Sequence, residues 1–212
     1  MDYSSLYAVQ DQILDALFSG ETTFYLTGGT CLHRFYFHKR HSDDLDLFTS
    51  ETALYREDVR AALQHIKNTG LEYETVVDTR DFVRIHAAGV LQVDFVNDRV
   101  YRHGASQMSP QGYPLDNVTN IFANKICAVL GRDEPKDIFD LCTLMQVAEV
   151  SPANLLPIVQ RKCAMDLEDL EHRLVSFPVD LLGTLAVTDV AFLESMSRDY
   201  RQIVGDLLES LA

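Results

Sequence analysis

Two apolar runs, one stopped by paired glycines and one interrupted by spaced aspartates, constrain this chain most: residues 25 to 48 read YLTGGTCLHRFYFHKRHSDDLDLF. Phe24 to Thr27 has the length of a buried strand and stops at Gly28-Gly29, after which Thr30 is placed to cap a helix through about Phe37. Leu45, Leu47 and Phe48 mark a second strand. Side chains alternate across a strand, so Asp44 and Asp46 share the face opposite Leu45 and Leu47. Adjacent carboxylates raise each other's pKa unless a cation lies between them. A D-x-D on a strand therefore either faces bulk water or holds a divalent metal. Hard cations such as Mg2+ (or Mn2+) prefer oxygen ligands and complete their shell with phosphate and water. A strand that ends in glycines and feeds a helix N-terminus lets backbone N–H groups approach an anion, with the Thr30 hydroxyl as a further donor. Taken alone, G-G-T also reads as an ordinary turn, and D-x-D as a solvated edge strand.

A third carboxylate interrupts the apolar run LQVDFV at Asp94, where burial without a partner is costly. Beside Asp44 and Asp46 on a neighbouring strand it completes a three-carboxylate metal site; singly it reads as an outward-facing strand residue. A second constellation lies in NKICAVLGRDEPKDIFDL. Lys125 sits in an otherwise apolar helical pattern, Arg132 follows Gly131 at its end, and Asp137 and Asp140 share a helix face at i, i+3. The ordinary readings are a snorkelling lysine, a helix C-terminal charge and a surface pair between Lys136 and Asp140.

Along the rest of the chain, Leu6, Val9, Ile13, Leu14, Leu17 and Phe18 give residues 3 to 19 a helical period closed by Gly20. Thr52 to Lys67 reads as an amphipathic helix with Thr52 as its cap. Tyr73–Asp78, Phe82–His86 and Leu91–Val96 read as strands, with Gly89 in the turn between the last two. Gly104, Pro110, Gly112 and Pro114 make residues 101 to 116 a loop and the seam of the chain. Helical patterns follow over about 117–130, 135–148, 152–163, 166–176 and 189–211. The order is a helix, a mixed α/β half, then an all-helical half.

The formal net charge of -14 excludes nucleic-acid binding through a broad basic face. The only basic cluster is His33, Arg34, His38, Lys39, Arg40 and His41, which reads as an anion-facing grip for an RNA end. The H-x4-H-x2-H spacing of its histidines does not suit a metal. Cys31, Cys127, Cys142 and Cys163 show no C-x-x-C spacing and sit in apolar settings. With a polar, acidic N-terminus that does not read as a signal peptide, and no apolar run near the roughly 18 residues of a membrane span, the expectation is a cytoplasmic protein with reduced thiols and no membrane association.

Gly28-Gly29-Thr30, Arg40-x-Ser42-x-Asp44-Leu45-Asp46-Leu47-Phe48, Asp94 in a strand, Lys125 in a helix and Arg132…Lys136-Asp137-x-x-Asp140-Leu141 together resemble the AbiEii/AbiGii-type toxin nucleotidyltransferases of the polymerase-β-like superfamily. In many relatives a serine follows the first glycine; here Gly29 does, then Thr30. The resemblance spans about half the chain and implies an α/β (α+β) fold. Its mixed-sheet nucleotidyltransferase core would occupy residues 1–105, and residues 106–212 would form a helical bundle completing the active site. It implies NMP transfer from an NTP to an acceptor hydroxyl, on a tRNA 3′ end, beside a cognate antitoxin. Asp44, Asp46 and Asp94 would hold Mg2+, with Asp94 also orienting the acceptor hydroxyl. Gly28, Gly29, Thr30, Arg40, Ser42, Lys125 and Arg132 would bind the nucleotide, and Asp137 would position Lys125. Two other readings stay open: transfer to a small molecule or a protein side chain, and a non-catalytic module that binds a nucleotide or a partner.

Overall fold

The computed structural model describes residues 2–212. They divide into two units. The first comprises the chain up to Cys31, Ser42–Arg99 and Ala105–Asp116; the second comprises Leu32–His41, Val100–Gly104 and Asn117–Ala212.

The first unit is built on a seven-stranded mixed sheet in the order β3-β4-β5-β2-β1-β7-β6. Its strands are β1 (Tyr25–Thr27), β2 (Asp44–Thr49), β3 (Tyr73–Asp78), β4 (Phe82–Ala87), β5 (Leu91–Asn97), β6 (Gln107–Met108) and β7 (Pro114–Leu115). β2 runs antiparallel to β1 and parallel to β5. Two helices, α1 (Tyr3–Phe18) and α3 (Tyr55–Asn68), pack on each other. Each buries one stripe: Leu6, Ile13, Leu14 and Leu17 from α1, and Tyr55, Val59, Ala62 and Ile66 from α3. Leu45, Leu47, Val83, Ile85, Val93 and Phe95 supply the buried sheet residues, and the Tyr55 hydroxyl donates to Phe95 O at 2.9 Å. Burial of one side chain of this size stabilises by about 1.5–3 kcal/mol, so the apolar face fixes the register and commits the opposite face to Asp44 and Asp46.

Three local expectations are corrected. The helix after β1 starts at Gly28, not behind a Thr30 cap: α2 (Gly28–Thr30) passes directly into a π-helical turn over Cys31–Tyr36. The buried Thr30 hydroxyl donates instead to Asp44 O. Thr52 does not cap α3; its hydroxyl donates to Asn97 Oδ1 at 3.0 Å, and Leu54 occupies the cap position. Residues 101–116 are not all loop. The turn closed by Gly112, at φ 88°, lets β6 and β7 pair, and β7 adds to β1 through Leu26 and Leu115. Pro114 is tolerated because it opens its strand.

The second unit is helical: α4 (Val118–Gly131), α5 (Pro135–Val147), α6 (Leu156–Lys162), α7 (Leu167–Ser176) and α8 (Val190–Leu211). α4 packs on α5, α6 and α7, and α8 on α5 and α7. The pattern read over 152–163 is broken at Leu155 into a 3-10 turn and α6, because Pro157 has no N–H to continue a helix and instead opens a new one. The four cysteines are free thiols, and among the described residues no helix is long and apolar enough to cross a membrane.

Candidate active site

The parallel register of β2 on β5 sets Asp46 directly opposite Asp94, and the antiparallel register of β5 on β4 sets Asp94 opposite Arg84. Thr27 of β1 stands opposite Asp46. One row across four strands therefore reads Thr27, Asp46, Asp94, Arg84, with Asp44 two residues along β2 on the same face. Asp94 is buried and holds a bidentate pair with Arg84: Nε donates to Oδ1 at 2.7 Å and Nη2 to Oδ2 at 2.6 Å. This pairing, with the negative charges of Asp94, Asp46 and Asp44 nearby, raises the guanidinium pKa of Arg84. Asp44 is steadied from below. The Ser42 hydroxyl donates to Asp44 Oδ1 at 3.3 Å, and the buried Gln10 amide donates to Ser42 O at 3.1 Å and to Asp44 O at 3.4 Å.

The glycine turn abuts these acids. Gly28 has φ 70°, and a Cβ built on it would lie 2.0 Å from Asp46 Oδ2. Glycine is required there twice over, by conformation and by the carboxylate against its α-carbon. Thr27 Oγ1 donates to Asp116 Oδ2 at 2.8 Å, and both residues are buried. The donor set of Asp44, Asp46 and Asp94 is all carboxylate oxygen, the chemistry of a hard divalent cation. Arg84 engages Asp94, and no group of three or more His, Cys, Asp or Glu among the described residues is arranged to hold a metal ion. The residues fit such a cation in type and face, and the placement of Asp94 on Arg84 qualifies the fit.

The other expected site residues lie in the helical unit, in one ion-paired network. Lys125 Nζ donates to Asp137 Oδ1 and sits at 2.7 Å from Asp140 Oδ2. Arg132 Nε donates to Asp137 Oδ2 at 2.6 Å. Arg40 donates through Nε and Nη2 to the two oxygens of Asp140 at 2.7 and 2.8 Å, and the His33 ring bonds Asp140 Oδ1 at 2.8 Å. Asp137, Asp140 and Lys125 are buried; the Arg132 side chain is 55% exposed. Burial alone would raise the Asp140 carboxyl, but Arg40, Lys125 and His33 outweigh it and hold the pKa well below the ordinary value. Burial likewise opposes the Lys125 charge, yet Asp140 and Asp137 raise its pKa.

These placements correct the anion-grip reading for His33, Lys39 and Arg40. His33 and Arg40 are buried on Asp140, and Lys39 pairs with Asp189 at 2.8 Å. Arg40 thus braces a buried acid rather than facing a nucleotide, and Ser42 orients Asp44. The surface pair between Lys136 and Asp140 is excluded by the complete burial of Asp140. Sequence reasoning missed Arg84, Gln10 and Asp116 as parts of the site. Arg84 carried a signal, since it and Asp94 lie symmetrically about Gly89, which has the positive φ of a hairpin turn. So did Gln10, a polar residue within the apolar stripe of α1.

The His33 imidazole gives this network a pH dependence. Burial lowers its pKa below 6.5, and Asp140 only partly offsets that. A folded value below the unfolded one means that the stability contribution is complete above about 6.5 and is lost as pH falls through the folded value. The urea midpoint is expected to fall from about pH 7 to about pH 5, with His33→Gln reducing that slope. An unchanged slope in the variant would assign the effect elsewhere.

The sequence profile of the family described as nucleotidyl transferase AbiEii toxin, type IV toxin–antitoxin system, matches residues 12–212. Comparison with curated proteins finds no match. Among solved structures, MenT4, a nucleotidyltransferase toxin from Mycobacterium tuberculosis, is similar with a TM-score of 0.64 at 19% identity, covering 97% of this chain and 85% of that one. JHP933 from Helicobacter pylori is similar with a TM-score of 0.60 at 19% identity, covering 99% and 93%. At such identities the likeness speaks for the fold. The family match, which takes in β1, the glycine turn, all three sheet carboxylates and the helical unit, speaks for the lineage: the chain belongs to the AbiEii nucleotidyl transferase toxin family.

Proposed function

We propose that this nucleotidyltransferase transfers a nucleoside monophosphate from an NTP to an acceptor hydroxyl on an RNA 3′ end, a tRNA end in particular, using Mg2+ or Mn2+ and releasing pyrophosphate as the α–β phosphoanhydride bond breaks. The observation that carries the reading is the row in which Asp46 faces Asp94 across β2 and β5, beside Gly28 and in line with Asp44. Asp44 and Asp46 would hold the cation, joined by Asp94, whose other task is to orient the acceptor hydroxyl and take its proton. A bound divalent ion supplies neutralisation of triphosphate charge. The backbone of Gly28 and Gly29 offers N–H groups to phosphate where a side chain would block approach. Thr30 supports this turn through its bond to Asp44 O rather than by touching phosphate. In the helical unit, Arg40, Lys125 and Arg132 face Asp137 and Asp140. Of these cations Arg132, whose side chain is 55% exposed, is the one that could meet a phosphate, with Asp137 positioning Lys125 and Arg132. A cognate antitoxin is the partner to which the family points.

Gly28→Ala tests the turn. The variant is expected to lose about 1–3 kcal/mol of stability from backbone strain. Transfer is expected to fall about 100-fold, because the new methyl must push the Asp46 carboxylate aside. Retention of wild-type transfer would remove the turn from the site. The proposal itself is tested by incubating the protein, Mg2+ and each radiolabelled NTP with total tRNA and, separately, with RNA-free lysate. Label on tRNA supports it. Label only in the lysate favours the second reading, transfer to a small molecule or protein hydroxyl, which the net charge of -14 supports by repelling long RNA.

A further inference from the structure

We propose that Arg84 is the resident counter-cation of the carboxylate face and competes with the divalent metal for Asp94, so that metal binding releases its guanidinium. The inference rests on the metal-dependent reading above and extends it to a residue outside the motifs that mark the family.

Three observations carry it. The first is placement: the sheet register puts Arg84 at the end of the row that contains Asp46 and Asp94, on the same face. The second is engagement. Both oxygens of Asp94 accept from Arg84 at 2.6 and 2.7 Å, so a cation that took Asp94 bidentately would have to displace the guanidinium. The third is freedom to leave. The Arg84 side chain is 34% exposed and its guanidinium carbon lies 5.3 Å from the centroid of the Phe82 ring. That ring contact is made with the guanidinium still on Asp94. Three like charges on one sheet face need a cation. A guanidinium meets that need without metal, and a divalent ion meets it better once phosphate brings further oxygen ligands. The two cations cannot both take Asp94 bidentately. A released guanidinium is also suited to phosphate, whose oxygens match its fork of donors. Arg84 is thus a positioning residue that keeps Asp94 oriented and the face neutral until metal and nucleotide arrive together.

The test is calorimetric titration of the whole chain with MnCl2 in the absence of nucleotide. Arg84→Gln is expected to bind Mn2+ about tenfold more tightly than wild type, the order of effect of removing one positive charge beside the site. Arg84→Lys keeps a charge there and is expected to stay within about twofold of wild type. A residue serving only the fold would weaken the metal site when replaced, so tighter binding is a readout that damage does not mimic. Equal or weaker Mn2+ binding by Arg84→Gln, with binding abolished in Asp46→Asn, overturns the role of Arg84 and leaves the metal site standing. Wild-type Mn2+ binding by Asp46→Asn overturns the metal reading and this inference with it. Circular dichroism melts of each variant identify any that is unfolded, and Arg84→Lys then carries the comparison: Mn2+ binding tenfold tighter than wild type in that variant overturns the inference, and unchanged binding supports it.

Discussion

Asp46→Asn is expected to lower NMP incorporation from radiolabelled NTP by about 10³-fold or more, since on the proposed mechanism several kcal/mol of transition-state charge stabilisation would depend on a metal that this side chain would help to hold. The melting temperature is expected to stay within about 2 °C of wild type. The two halves of the expectation have separate causes. Asparagine keeps the shape beneath Gly28 and the apolar neighbours Leu45 and Leu47, which are fully buried and carry the strand's stability. What it removes is one of the carboxylate charges crowded onto a face that already needs Arg84 for compensation. Loss of charge there relieves repulsion in the resting protein while it weakens any divalent ion. Equal labelling by wild type and variant, whatever the acceptor, would sink the assignment of the sheet carboxylates.

The strands themselves were readable from residue pattern because one face of the sheet is buried. Alternation in DLDLFT places Leu45 and Leu47 inward, and Asp44 and Asp46 follow without further information. The glycine pair and the D-x-D indicated the superfamily, and Lys125 with the K-D-x-x-D of Lys136 to Asp140 indicated the family. What periodicity did not supply was the partner of each charge. The parallel pairing of β2 with β5 joins strands separated by α3 and a hairpin, so the meeting of Asp46 with Asp94 is a tertiary fact. The basic segment failed for the same reason in sharper form. A run of Lys, Arg and His reads as a solvated surface when judged by its neighbours, yet the acid that His33 and Arg40 both bond is Asp140, 100 residues beyond Arg40. Local chemistry also misplaced Thr30 and Thr52. Both look like caps, and both hydroxyls donate elsewhere, to Asp44 O and Asn97 Oδ1. Cap signals compete with any acceptor that the fold brings near.

Asp140→Asn is expected to destabilise the helical unit by about 3–5 kcal/mol, the cost of leaving buried cations without their counter-charge. Asp140 is fully buried and takes the two donors of Arg40, the Lys125 ammonium and the His33 ring. An amide in its place presents one acceptor oxygen and an NH2 that points a donor at other donors. Lys125 would then share Asp137 with Arg132 and Arg40 would lose the Asp140 carboxylate, and Lys125 is itself buried. Lys125 has a way out that Arg40 lacks: it can shed its proton, whereas a guanidinium stays charged. The damage should therefore centre on Arg40, whose backbone bridges to Val187 and whose Nη1 holds His41 O at 2.9 Å. Arg132→Ala makes the contrasting case. Its side chain is more than half exposed, so the Arg132–Asp137 pair is screened, and the loss is expected to be below about 1 kcal/mol. Urea unfolding of both variants separates the buried pairs of Asp140 from the half-exposed pair of Arg132 with Asp137. If Asp140→Asn fell within 1 kcal/mol of wild type, the carboxylate would not be what holds these cations in the interior.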